Sequence, residues 1–279
     1  MKKSLTVLAA AAALAMTASV AQAQGSKIRV ATEGAYPPWN ATNAAGKLEG
    51  FEIDLANELC KRLSAQCEIV AQDWDGIIPS LQAKKYDVIM AGMSVTDERK
   101  KVIDFAGPYA SEPTSFAALK NSPLLKGSFA ERVTLDQVDG DEQKSIDALK
   151  AALKGKTVGV QVSTIQANML EKHFPDVSMK TYDKIDSAGL DLVAGRIDAV
   201  LADRSAAAAL AQAEGGKDIT LFGPGFTGGV LGVGVGAGVR KDDAQLKANL
   251  DKAIQAATAD GTIGKLSTQW FGFDISIKK

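Results

Sequence analysis

Few residues in this chain have the type and spacing to do chemistry. The single histidine, His173, has no serine and carboxylate placed to form a hydrolytic set, and two cysteines with one histidine do not make a zinc site. What stands out is a set of charged and aromatic residues in loops. Glu33 and Asp203 each follow an apolar strand-like run, and Arg99 closes a Ser-Val-Thr-Asp-Glu-Arg stretch after another. Tyr36, Trp39 and Trp74 lie among Pro-rich or polar residues rather than on an apolar stripe, and aromatic faces of this kind attract cations. Ser163 and Thr164 open a helical pattern whose free backbone N–H groups would attract an anion. Each has a plainer reading. Arg99 could pair with Asp97 or Glu98 at the surface, Asp203 and Thr164 could simply cap helices, and the tryptophans could be core. Glu52 is a weaker candidate for the cleft that could simply be solvated on its helix, and His173 reads as a mid-helix surface residue.

The elements that must position these groups follow from periodicity. Residues 27–32 alternate as a strand, and 51–63 carry Phe51, Leu55, Leu59 and Leu63 at helical spacing. A strand at 68–71, a short helix at 75–84 and an apolar strand at 87–90 complete a β-loop-α-β-α-β order, the signature of an α/β unit with a largely parallel sheet. The order recurs at 157–161, 163–173, 178–182, 187–194 and 198–202, followed by an Ala-rich helix at 205–213. Residues 120–155 read as a surface insertion ending in a helix over 142–153. Alternating glycines at 232–238 suit an extended segment, and two final helices, 243–259 and 263–271, return to the first unit.

Composition places the chain among soluble globular proteins: 46% hydrophobic, 23% charged, net charge −1. That balance gives no electrostatic footprint for nucleic acid. Lys2 and Lys3, the apolar run from Leu5 to Met16, and Ala21-Gln22-Ala23 predict a secretory signal peptide over residues 1–23, cleaved after Ala23, and hence a periplasmic location. In that oxidising compartment Cys60 and Cys67 are expected to form a disulfide, worth about 2–3 kcal/mol in the chain-entropy model.

Four segments carry a resemblance: ATEGAYPPWN from Ala31, GFEIDLANELC from Gly50, WDGIIPSLQAKKYDVIMAGMSVTDER from Trp74, and ADGTIGKLSTQWF from Ala259. In this order they resemble the periplasmic amino-acid-binding proteins of ABC importers, in the branch for histidine, lysine/arginine/ornithine and opines. The resemblance implies a two-lobed type II α/β fold with two hinge strands, lobe 1 formed by residues 24–112 and 235–279 and lobe 2 by 113–234. The hinges would lie near 109–116 and 231–235. It further implies a monomer that binds a small molecule in the cleft without a cofactor or metal, catalyses nothing, and delivers the ligand to ABC permease subunits.

By the same resemblance, Arg99 would grip the ligand α-carboxylate with its planar fork, helped by Ser94. Ala91, Gly92 and Met93 would line the cleft, partly through backbone atoms. Ser163 and Thr164 would complete the carboxylate contact, Asp203 would accept from the α-ammonium, and Glu33 would face the distal end among Tyr36, Trp39 and Trp74. Val162 and Ile165 depart from the family pattern, where Gly and often Thr stand. One positive and two negative site charges favour a ligand of charge +1. Arginine, ornithine or lysine ranks first, with histidine in the same class, and an arginine-derived opine second. A dehydratase on the same fold is the rival from another class.

Overall fold

A computed structural model describes residues 27–277; the expected signal peptide lies outside the described residues. Two larger sheets organise the chain. One has the order Gln66–Ala71, Lys27–Thr32, Val88–Ile89, Val235–Val239, Asp104–Ala110. The other runs Ser178–Tyr182, Thr157–Gln161, Ala199–Asp203, Thr114–Leu119, Ile219–Thr227, Arg132–Thr134. In each sheet the strands read first from the sequence are the parallel ones: Lys27–Thr32 beside Gln66–Ala71 and Val88–Ile89, and Thr157–Gln161 beside Ser178–Tyr182 and Ala199–Asp203.

Each sheet also holds antiparallel strands that sequence reasoning placed only in part, as the extended segment at 232–238 and the hinges near 109–116 and 231–235, or not at all. Asp104–Ala110 and Val235–Val239 join the first sheet antiparallel, as Thr114–Leu119 and Ile219–Thr227 join the second. Their composition hides them. Ile219–Thr227 carries Gly-Pro-Gly and shifts register between Phe222 and Phe226, and Asp104–Ala110 contains Gly107-Pro108. Thr114–Leu119 is buried on both faces over Thr114 to Ala118, so it shows no alternation. The insertion is not wholly irregular either, since Arg132–Thr134 pairs parallel with Gly225–Thr227.

The chain passes between the sheets twice, at residues 111–113 and 228–234. The second passage needs glycine. Gly232 has φ +79°, and a Cβ there would stand 2.3 Å from the Val95 carbonyl oxygen. The first sheet is backed by the Phe51–Arg62 helix, whose buried Phe51, Leu55 and Leu59 recur every four residues, and by the helices Ala244–Ala259 and Thr262–Phe271. Cys60 and Cys67 are disulfide-bonded with Cα atoms 5.7 Å apart, fastening that helix to the strand Gln66–Ala71.

Candidate functional site

The charged residues of interest sit where strands end. Glu33 follows Lys27–Thr32, the Ala91–Ser94 loop follows Val88–Ile89, Gln161 ends Thr157–Gln161, and Asp203 ends Ala199–Asp203. The carboxyl ends of these parallel strands face one another across the gap between sheets, where ligands of α/β proteins collect. A narrow cavity lies there, lined from both sheets by Glu33, Trp74, Arg99, Gln161, Gln166 and Asp203 among others.

Arg99 is presented by a single turn, Asp97–Lys100, capped by the Thr96 hydroxyl. Its guanidinium donates to the Ser94 carbonyl at 3.0 Å and to the Ser163 carbonyl at 3.5 Å, and lies 5.1 Å from the Trp74 ring centroid. The surface alternative fails, because Asp97 pairs with Lys100 and Glu98 with Lys101. Burial pushes the guanidinium down to about 10, against a weaker upward pull from Asp203. Its fork therefore faces the cavity with no carboxylate partner among the described residues.

Asp203 is buried and held from three directions. Its carboxylate accepts from the Tyr36 hydroxyl at 3.2 Å, from Gln166 Nε2 at 2.9 Å and from the Thr114 hydroxyl at 3.5 Å. Burial pushes it up to about 6. The capping alternative fails here too, since its side chain makes no cap bond to the Arg204–Ala209 helix. Glu112 does that work instead, accepting from the Ser205 backbone N–H at 3.0 Å. Glu33 accepts from Gln161 Nε2 at 2.6 Å, and burial pushes it up to about 7.

Of the residues expected to bind, Glu33, Tyr36, Trp74, Ala91, Gly92, Ser94, Arg99, Thr164 and Asp203 line the cavity. Three do not. Trp39 is wholly buried between the edges of Phe51 and Phe271, 5.7 and 5.1 Å between centroids, with its indole N–H on Glu112. It is a core residue that happens to sit in a Pro-rich turn. Met93 has no exposure and packs with Ile89 and Ile103. Ser163, at φ +57°, turns its hydroxyl to Asp75 at 2.7 Å and meets Arg99 through its carbonyl only. Thr164 both caps the Ile165–His173 helix and lines the cavity.

Other expectations are corrected. Glu52 is not solvated but completely buried. His173 is not a mid-helix surface residue. It ends its helix half-buried, and burial together with Lys172 and Lys150 holds it below the usual range. Gln161, Ile165 and Gln166 also line the cavity. The two glutamines are each 4% exposed. Their signal was a polar residue closing an apolar strand, as Asp203 does, and a polar residue in the first turn of the next helix.

The two halves are already joined across the cleft. Gln161 reaches Glu33, Ser163 reaches Asp75, Tyr36 reaches Asp203, and the Trp74 indole donates to the Val162 carbonyl at 3.0 Å. Val162, flagged as a departure, thus contributes its backbone to closure.

Comparison with known proteins agrees with this geometry. The profile of the bacterial extracellular solute-binding proteins, family 3, matches residues 28–273. The chain belongs to that family. This family 3 protein is 45% identical to the octopine-binding periplasmic protein of Rhizobium meliloti, over 95% of this chain and 97% of that one. It is 38% identical to the histidine-binding periplasmic protein of Salmonella typhimurium, covering 96% and 95%. Among solved structures, an ancestral arginine-binding protein bound to arginine aligns at TM-score 0.74 and 33% identity, covering 89% of this chain and all of that one. The two sheets are accordingly the cores of the two lobes of a family 3 solute-binding fold.

Proposed function

We propose that the protein is the periplasmic solute-binding component of an ABC importer and that it closes its lobes around a basic amino acid, arginine, ornithine or lysine before histidine. The observation that carries this is the charge layout of the cavity. An Arg99 fork with no carboxylate partner among the described residues shares one cavity with two buried carboxylates, Asp203 and Glu33. Buried ions are tolerable only when paired. A molecule with a carboxylate for Arg99, an ammonium for Asp203 and a distal cation for Glu33 neutralises all three. Trp74 and Tyr36 wall the space between.

In this reading residues 24–112 and 235–279 form lobe 1 and residues 113–234 form lobe 2, hinged at the two passages between the sheets. Residues 1–23 direct export and are removed after Ala23. The protein acts as a monomer, without a cofactor, on ABC permease subunits. Binding rather than dehydratase chemistry is favoured because the one guanidinium and two carboxylates of the cavity match the charges of a basic amino acid, and the similar octopine- and histidine-binding periplasmic proteins are binding proteins. An arginine-derived opine is the second reading, favoured by the 45% identity to an octopine-binding protein. The charged Asp203 ranks it behind the free amino acid.

Calorimetric titration with arginine, ornithine, lysine, histidine and octopine tests the ranking. Arginine is expected to bind tightest, with compaction in small-angle scattering. Tight binding of octopine alone would reverse the order, and an unchanged radius at saturation would remove the closure mechanism.

A further inference from the structure

Glu52 is the second residue of the Phe51–Arg62 helix and has no solvent exposure, yet all its partners are uncharged donors. Its carboxylate accepts from the Gly92 backbone N–H at 2.8 and 2.9 Å, from the Tyr109 hydroxyl at 2.5 Å and from Asn40 Nδ2 at 2.8 Å. Asn40 in turn accepts from the Gly34 backbone N–H at 2.8 Å. Gly34 and Gly92 have φ +71° and +62°, so both turns hold left-handed residues whose N–H groups point in one particular direction. Gly34 adjoins Glu33, Gly92 lies two residues from Ser94, and Tyr109 is on the strand that leads into the first passage between lobes.

We propose that Glu52 is a positioning residue for ligand binding. Its one carboxylate fixes the 91–94 loop and, through Asn40, the turn that carries Glu33, and ties both to the hinge-side strand through Tyr109. The inference rests on the basic-amino-acid reading for its ligand probes. A carboxylate suits the task because it can accept several hydrogen bonds and donates none. Burial pushes Glu52 up from the ordinary carboxylate range, and the Tyr109, Gly92 and Asn40 bonds oppose that push.

A merely structural network would affect melting and leave the affinity of the folded protein alone. Positioning makes a different pattern. Glu52→Ala leaves Gly92 N–H without an acceptor and should weaken arginine binding by about tenfold or more. Glu52→Gln should stay within about threefold of wild type, because the amide oxygen still accepts while the Tyr109 hydroxyl turns to accept from the amide nitrogen. Asn40→Ala cuts only the arm to Gly34. It should weaken arginine, which needs Glu33, by about tenfold, and its neutral isostere citrulline much less. Calorimetry with both ligands on folded protein reads these values. Wild-type arginine affinity in Glu52→Ala, or an unchanged arginine-to-citrulline ratio in Asn40→Ala, would overturn the proposal. Should Glu52→Ala not fold, the Asn40→Ala ratio decides alone. Should wild type bind neither ligand, the functional reading has failed, and amide exchange in the ligand-free protein decides instead. Gly34 should exchange at least about tenfold faster in Asn40→Ala, while amides of the Lys27–Thr32 strand stay unchanged. Equal protection at Gly34 in both proteins would sink positioning separately.

Discussion

The two lobes face the same cavity but build their halves of it differently. The first supplies Glu33, Tyr36, Trp74, the 91–94 loop and Arg99 from loops braced behind by a buried carboxylate, a disulfide and the Trp39–Phe51–Phe271 aromatic cluster. The second supplies Gln161, Thr164, Ile165, Gln166 and Asp203 from two strand ends and one helix start. Its polar groups find partners partly across the cleft, as Gln161 does on Glu33 and Asp203 on Tyr36. The cross-cleft bonds are shared, since Glu33 of the first half depends on Gln161 and Asp203 of the second takes Thr114 and Gln166 from its own half, so the difference between the halves lies in the bracing behind the first half's loops.

That contrast can be broken most severely in the first lobe. Arg99→Ala should weaken arginine by about a hundredfold or more, since it leaves the ligand carboxylate buried without its charge-assisted pair; calorimetry reads this, and a loss under tenfold would move the anchoring role to the second lobe. Glu33→Gln should cost arginine about tenfold and citrulline far less, and an equal loss for both would refute the distal-cation assignment.

Acidity sharpens the comparison next. Without ligand, burial holds Glu33 at about 7 and Asp203 at about 6. A cationic ligand favours their ionised forms, so binding releases protons and arginine affinity should rise several-fold between about pH 5 and pH 8. Stability of the empty protein runs the other way. Both carboxylates bind protons in the fold that they have already lost when unfolded, so their contribution to stability is full below about pH 4 and is lost as pH rises towards about 7, and it is read as the difference from Glu33→Gln at each pH. Titrations and melts at matched pH check both signs, and parallel trends would contradict the assignment. The smallest effect is expected from Ser163→Ala. It removes only the exposed Ser163–Asp75 clasp and should change affinity by about twofold to threefold, through faster dissociation in stopped-flow measurements.

Much of this was legible in the sequence, and the failures have physical causes. The strands Lys27–Thr32, Thr157–Gln161 and Ser178–Tyr182 match their expected limits because alternation or a β-branched run marks them. The helix of Phe51–Arg62 follows from its apolar spacing. Trp39 and Trp74 could not be told apart, since both sit in breaker-rich loops. Their fates depend on Phe271, more than two hundred residues on, and on Val162 across the cleft. Glu52 was unreadable for the same reason: a carboxylate in a first helical turn looks solvated until Gly92 and Tyr109 fold over it. Arg99 and Asp203 were legible as candidates, but only geometry removed their plainer readings.

The capping of the Arg204–Ala209 helix by Glu112 has a consequence for how this protein could change over generations. Because initiation of that helix is delegated to a residue in the first interlobe passage, the side chain at position 203 is relieved of helix capping. A substitution such as Asp203→Asn alters the charge offered to the cargo while leaving the helix start intact. Under the proposed function, the charge offered to the cargo at this position can thus vary without costing the helix its cap.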